Sequence, residues 1–445
     1  MTNEQLYSVL GAGFGPANLS LAVTLDECGY SGSTRFIERA PGFQWQDEQL
    51  LNGTDIQNSP FRDLVMPRNP HSPYSFVKYL YGCGQLTEYL HLNAKFPLRR
   101  EYAGYLAWVA DAFEDSIDYG RSAVRLSLAE CGNTEVFRME TDGGRQYLGE
   151  TFVLGTGRSP RIPPVFRDGL GPTVFHSTKY LTSFGALGDR KVRVAVVGGS
   201  QSAIEIVLDL LGRPNVEQVI SIQRGIGFRL KDTSPYSRRV FLPEFVDYFH
   251  PLPLETKRRI RGELRSINYA ACDQDVIDRL AGIQREYDLI GSDRLRLQTF
   301  SEVAELLPQA AAGAHRLVVR DVNYDTQSPL DVDAVILATG FRDFGMGPDE
   351  ESYHPLLEGV ADRLPLQEDG TPVVARDYSI ELKTSAHDAA PPRIYINGLC
   401  EASHGMGDSG ALAMLSTRST DITESIMRRP VGAGIERPAV TEALR

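Results

Sequence analysis

The sequence predicts an α/β protein with two Rossmann-like dinucleotide-binding domains and a smaller, mostly helical substrate-binding part. Two observations carry this. LYSVLGAGFGPANLSLAVTLDE, from Leu6, runs from an apolar strand through a glycine turn into a helical pattern, and KVRVAVVGGSQSAIEIVLDLL, from Lys191, repeats that order. Each is followed by a second short strand, TRFIER at 34–39 and VEQVISIQR at 216–224. Strand, glycine turn, helix, strand is the opening of a dinucleotide-binding fold, and two openings imply two nucleotides.

Composition is consistent with this. A chain of 445 residues, 42% hydrophobic, can bury two cores. The net charge of −12 and the absence of a long basic run argue against nucleic acid, while a local basic patch can still hold a small anion. Cys28, Cys83, Cys131, Cys272 and Cys400 are scattered, with no C-x-x-C among them, so no metal is expected and a reducing compartment fits. MTNEQLYSVLGAG lacks a basic segment followed by a long apolar one, and no apolar run nears the roughly 20 residues of a membrane helix. The expectation is a cytoplasmic protein with no membrane partner.

Two further strands, in ETFVLGTGRSPRIP and DVDAVILATGFRDFG, end in Thr-Gly, which suits backbone passing close to a cofactor. The simplest arrangement makes the first domain discontinuous, 1–168 and 332–430, with the second, 169–231 and 291–331, inserted in it. Residues 232–290 read helical without the Rossmann pattern and are assigned to the substrate side. The tail, 431–445, has turn formers and few large apolar residues and is expected to be loosely ordered.

In GAGFGPAN, Gly11 permits the tight turn and Gly13 lets backbone approach a pyrophosphate at a helix N-terminus, with Gly15, Pro16 and Asn18 completing the motif. Pro16 stands where a third glycine is usual. Glu38 ends the next strand 27 positions after Gly11; a carboxylate there accepts from ribose hydroxyls and repels a 2′-phosphate, which points to FAD or NAD. In the second motif Gly198 and Gly199 make the turn, followed by Ser200, Gln201 and Ser202, and the strand after the helix ends in Arg224, 26 positions after Gly198. An arginine there suits a 2′-phosphate. The two offsets together say FAD first and NADPH second.

The segments GFGPANLSLA, RDLVMPRNPHSPYSFVKYL, FPLRREYAGYLAWVA, GGSQSAIE, INY, ATGF and HGMGDS resemble the flavin-dependent N-hydroxylating monooxygenases, whose best-known members act on L-ornithine or L-lysine. The resemblance implies that NADPH reduces FAD, that dioxygen yields a C4a-hydroperoxyflavin sheltered by retained NADP⁺, and that a neutral amine takes the oxygen. It places Gln57 near the flavin and Asn268 against substrate and nicotinamide. Arg39, Trp45, Thr339, Gly340 and Asp408 join the expected cofactor contacts. A homo-oligomer is also implied. His404 is expected to be a packed histidine and not a base.

The chain departs from that family in its substrate residues. Arg62 in FRDLV replaces a lysine, Arg238 in SPYSRRVF falls where an asparagine is usual, and Asp408-Ser409-Gly410-Ala411 replaces a bulkier run. A guanidinium ~4 Å from an ornithine ammonium costs on the order of 4 kcal/mol at an effective dielectric near 20, and a second carboxylate reverses the sign. The expected substrate contacts are therefore Arg62, Arg238, Asn268 and Ser409. The expected reaction is oxidation of L-aspartate to N-hydroxyaspartate and nitrosuccinate; the alternative is ornithine N5- or lysine N6-hydroxylation in siderophore biosynthesis.

Overall fold

The computed structural model describes residues 5–132, 134–308, 314–383, 391–408 and 410–428, so the tail at 431–445 and Ser409 lie outside the described residues. An eight-stranded sheet is built around the strand Leu6–Ala12, which pairs in parallel with Thr34–Ile37 on one side and Gln146–Leu154 on the other. Beyond Gln146–Leu154 the sheet continues through Arg393–Ile396 to Ser379–Glu381, so the chain returns to its first module after a long excursion. A buried cluster around Val9, Leu10, Phe152, Tyr395 and Ile422 covers one face. The helix Leu415–Arg428 packs beside Pro16–Glu27, joined by Ser419 and Ser20 hydroxyls 3.1 Å apart.

The excursion holds a five-stranded parallel sheet in the order Leu295–Gln298, Val216–Ile222, Val192–Val197, Ala334–Leu337, Val174–His176. A three-stranded antiparallel sheet, Ser301–Pro308, His315–Asp321 and Gln327–Val332, covers one face of it, with Val303, Leu317 and Val319 clustered on Ala195, Ile220, Ile222, Val335 and Leu337. The mixed α/β architecture with two Rossmann-like units is as the sequence predicts. Two boundaries move. Ala334–Leu337, expected in the first domain, pairs with Val194–Val197 in the second sheet, because its continuous apolar run fits between two buried parallel strands. The helix Gln274–Ile290, expected on the substrate side, is the crossover between the parallel strands Val216–Ile222 and Leu295–Gln298. Its Val276, Ile277, Leu280, Ile283 and Tyr287 stripe packs into the second core. A crossover helix needs only that stripe and no glycine turn.

Gly198 shows how tightly the second turn is built. Its φ is +144°, and a Cβ there would lie 2.2 Å from the carbonyl oxygen of Ala338. Gly198→Ala should lower unfolding free energy by roughly 2–6 kcal/mol, about 1–3 for backbone strain and about 1–3 for overpacking. Gly225→Ala, with no atom within 4 Å, is the near-neutral control in the same denaturant titration.

Candidate active site

A cavity of about 640 Å³ runs between the two modules. At its first end the strand Leu6–Ala12 turns into the helix Pro16–Glu27 over Gly13, whose φ is +80° and whose Cβ would meet the Gly155 carbonyl at 2.6 Å. Gly15 has nothing within 4 Å of a Cβ position, and Gly13, Gly15 and Pro16 all line the cavity. This leaves the helix N-terminus open to an anion. Glu38, Arg39, Trp45 and Gln57 line the same end. The Glu38 oxygens accept from Phe14 N at 2.8 Å and Ala40 N at 2.9 Å, and each keeps a second lone pair for a ribose hydroxyl.

Gly11, Asn18 and Asp408, expected as contacts, lie outside the cavity lining. Gly11 sits within the strand, where a Cβ would strike the Phe36 ring at 2.3 Å. Asn18 is buried beneath the turn, donating to the carbonyls of Gly13 at 2.7 Å and Ala12 at 3.2 Å and accepting from Asn397 at 2.9 Å. Asp408 is buried on Arg418 at 2.9 Å and accepts from Cys400 N at 2.7 Å. All three shape the site from behind, since their side-chain positions are spent on packing or on internal hydrogen bonds.

At the second end Gln201 and Ser202 open the helix Gln201–Leu211 and line the cavity, with Ser200 as N-cap and Gly198 behind the turn. Arg224 stands exposed just past the strand Val216–Ile222 and is not part of the cavity lining. Thr339 and Gly340 do something else: the Thr339 hydroxyl donates to the Arg161 carbonyl, and the Gly340 carbonyl accepts from Arg161 N at 2.9 Å. They tie down the linker between the modules, while Thr156 and Gly157 line the cavity.

A further stretch of the lining brings together Arg62, Arg238 and Asn268, the expected substrate contacts. Arg62 is held by its neighbour Asp63, whose buried carboxylate accepts from the amides of Val65, Met66 and Phe76 and so fixes the loop. The Arg62 guanidinium lies 5.8 Å from the Phe241 ring centroid, and burial together with the charge of Arg238 lowers its pKa. Arg238 faces the cavity from a short 3₁₀ turn, Ser237–Phe241, that leaves Arg239 exposed. Among the described residues neither Arg62 nor Arg238 has an acidic partner within 4 Å. Lys231 lines the same wall, its backbone N–H donating to the Cys272 carbonyl at 2.8 Å; burial lowers its pKa.

Between the two ends runs a polar chain across the seam. Gln57 Nε2 donates to Asp273 Oδ2 at 3.0 Å, Asp273 N to Gln201 Oε1 at 2.9 Å, and Gln201 Nε2 to Glu205 Oε1 at 2.9 Å. Glu205 closes on Arg99 at 2.9 Å, and Arg99 also donates to the carbonyls of Gln49 and Asp55.

Comparison with known proteins places this geometry. Residues 5–343 match the family model described as L-lysine 6-monooxygenase/L-ornithine 5-monooxygenase. The chain belongs to that family. An L-ornithine N(5)-monooxygenase of Burkholderia cepacia is 35% identical over 423 residues, covering 91% of each chain. The Kutzneria sp. 744 ornithine N-hydroxylase, solved with reduced FAD, NADP⁺ and L-ornithine, superposes with a TM-score of 0.85 at 30% identity, covering 95% of this chain and 99% of that one. L-lysine 6-monooxygenase from Pseudomonas syringae gives 0.82 at 32% identity, covering 95% and 99%. The protein is thus a flavin-dependent N-hydroxylating monooxygenase, an oxidoreductase that uses dioxygen.

Within this monooxygenase His404 is buried away from the cavity, stacked on Tyr378 at 4.1 Å, and burial and His250 hold its pKa well below the usual histidine range. It is not placed to act as a base. Arg99, Glu205, Asp55, Asp273 and Lys231 escape sequence reasoning, because single charged residues carry no local pattern and their partners are distant in the chain. No helix among the described residues is long and apolar enough to cross a membrane. No group of described side chains could hold a metal ion.

Asp55 lines the cavity beside Gln57, and its pKa is raised to about 6, first by burial and then by Asp273, Asp275 and Glu205. A carboxyl with a folded pKa above its unfolded value destabilises the fold where it must ionise, so this cost is present above about pH 6 and disappears as pH falls toward 4. Asp55→Asn keeps the oxygen that accepts from Gln57 N. It should therefore melt higher than wild type at pH 8, with the difference vanishing near pH 4 in a pH series of thermal melts.

Proposed function

We propose that this enzyme uses FAD and NADPH to hydroxylate the primary amine of a small amino acid. The observation that carries it is the single cavity that opens on two helix N-termini and on an arginine pair. FAD fits the end with Gly13, Gly15, Pro16 and Glu38. NADPH fits the end with Gln201 and Ser202, its 2′-phosphate reaching Arg224. When bound, NADPH supplies the hydride that reduces FAD, and the reduced flavin activates dioxygen. The protein's own residues bind, orient and exclude water. Asn268 and Gln57 lie where nicotinamide, flavin and amine would converge, and Arg62 and Arg238 hold substrate carboxylate. Arg224→Ala should raise KM for NADPH about tenfold or more while leaving KM for NADH within about twofold, since only the former carries the phosphate. Equal losses for both cofactors would remove Arg224 from that role.

The names of the relatives favour the side-chain amine of L-ornithine or L-lysine over L-aspartate. One observation supports L-aspartate as a second reading: Arg62 and Arg238 line one cavity wall, and among the described residues no acid lies within 4 Å of either to receive a second ammonium. A dicarboxylic substrate would satisfy both guanidiniums, with its one amine left for the flavin. Product mass spectrometry with NADPH, oxygen and each amino acid separates the two. Oxygen gained on ornithine or lysine alone upholds the first reading, and oxygen gained on aspartate alone upholds the second. NADPH oxidised with no amino-acid product overturns both. On either reading Arg62→Ala and Arg238→Ala should raise the amino-acid KM well over tenfold, the loss of one partner of a desolvated pair costing about 2–5 kcal/mol. Arg239→Ala should act mildly.

A further inference from the structure

The helix Gln274–Ile290 begins on Asp273, a residue type that at this position ordinarily turns its carboxylate back to accept from an N–H of its own first turn. Here it makes no such bond. Its Oδ2 accepts instead from Gln57 Nε2, 216 residues away in the first module, at 3.0 Å. Both residues line the large cavity. A capping residue diverted from its own helix to a side chain across the seam breaks a local rule, and such breaks concentrate at functional positions.

Gln57 is held from two sides. Its backbone lies in the left-handed region, φ +54°, where a residue with a Cβ stays only if its surroundings hold it. Asp55 does so from within the first module, its Oδ1 accepting from Gln57 N at 2.7 Å. The same segment is anchored where Ile56 N donates to the Pro97 carbonyl at 3.1 Å and Arg99 N to the Thr54 carbonyl at 2.9 Å. The side chain is held from the second module. A carboxylate only accepts, so the Gln57 amide presents its nitrogen to Asp273 and turns its oxygen away. Among the described residues that oxygen has no protein partner, and it is not enclosed, so it opens on the cavity. Asp273 is fixed in turn by the helix Gln201–Leu211, its N–H donating to Gln201 Oε1 at 2.9 Å.

We propose that Asp273 is a positioning residue for the N-hydroxylation: it holds the Gln57 amide with its carbonyl oxygen toward the cavity, so that the reacting amine meets a hydrogen-bond acceptor there. An acceptor suits an N–H. A neutral amine that donates to Gln57 Oε1 keeps its lone pair free to take oxygen, whereas an amide turned the other way would offer an N–H to that lone pair and occupy it. Because Asp273 belongs to the second module, the acceptor is in place only when the two modules are docked. What Gln57 faces rests on the reading of the cavity as a cofactor and amine site; what holds Gln57 does not.

The test uses the FAD-loaded full-length enzyme with Gln57→Ala, Asp273→Ala, the double variant, Asp273→Asn and Asp273→Ser. Asparagine keeps an oxygen at the same reach, while serine caps a helix equally well but is too short to meet Gln57. Urea titrations give the first readout. Asp273→Ala should lower the unfolding free energy in the wild-type background and barely lower it further in Gln57→Ala, because the two side chains act through one contact. Product yield gives the second. Asp273→Ala should, like Gln57→Ala, cut the hydroxylated amino acid formed per NADPH oxidised several-fold, with the amino-acid KM little changed. Asp273→Asn should restore most of that yield, and Asp273→Ser should not. Additive stability losses, which a plain helix cap would give, overturn the proposal. So does full product yield in Asp273→Ala or in Asp273→Ser. If wild type itself hydroxylates no amino acid, the reading of the cavity fails and the proposal with it, while non-additive titrations would still show Asp273 holding Gln57.

Discussion

The buried ion pair between Arg99 and Glu205 is the interaction on which the working geometry rests. Their side chains are 7% and 3% exposed, and they come from opposite modules, Arg99 from the helix Arg99–Asp111 and Glu205 from the helix Gln201–Leu211. Such a pair gains little net stability over an apolar contact of the same shape, but breaking it leaves a charge stranded in low dielectric, typically at about 3–5 kcal/mol. It therefore selects one docking of the two modules over its neighbours. The cleft is the space between those modules, so its width follows from that choice. Arg99 also binds the Asp55 carbonyl, and Glu205 binds Gln201 at the start of its helix, so the same contact sets both ends of the polar chain through Gln57 and Asp273.

Charge within the cleft is arranged against the sign of the whole chain. The protein carries −12, yet one wall of the cleft gathers Arg62 and Arg238, neither within 4 Å of an acid among the described residues, and Lys231, on which Asp273 and Asp55 act from the seam. Partial burial strengthens each of these charges by removing the water that would screen it. A field of that sign attracts carboxylate and repels ammonium. That division of labour suits an enzyme whose oxidising power comes from its cofactors and whose residues supply binding, orientation and dryness.

The relation between site and support is equally uneven. Gly13, Glu38, Gln57, Asn268 and the arginine pair line the cleft, whereas Asn18, Asp408 and the Thr339-Gly340 pair act one layer back. A motif residue can matter to a nucleotide-binding turn either by touching the ligand or by satisfying the backbone that does. Asn18 does the latter for the carbonyl of Gly13, and it adds a second hydrogen bond to that of Ala12, which also accepts from Gly155 N.

The sequence by itself determined the two strand–glycine–helix openings, the opposed offsets of Glu38 and Arg224, and the helical character of residues 254–263 and 274–290. These are local properties, set by backbone conformation at a turn, by side-chain periodicity and by distance along a strand. Only the tertiary structure decided that Ala334–Leu337 belongs to the second sheet, since an apolar strand buried on both faces carries no mark of which sheet it joins. It likewise assigned Gln274–Ile290 to a crossover, turned Arg238 inward and Arg239 outward, and paired Arg99 with Glu205 across more than a hundred residues. Each of these depends on which surfaces meet once the chain has collapsed, and a contact between distant segments leaves no periodicity in either of them.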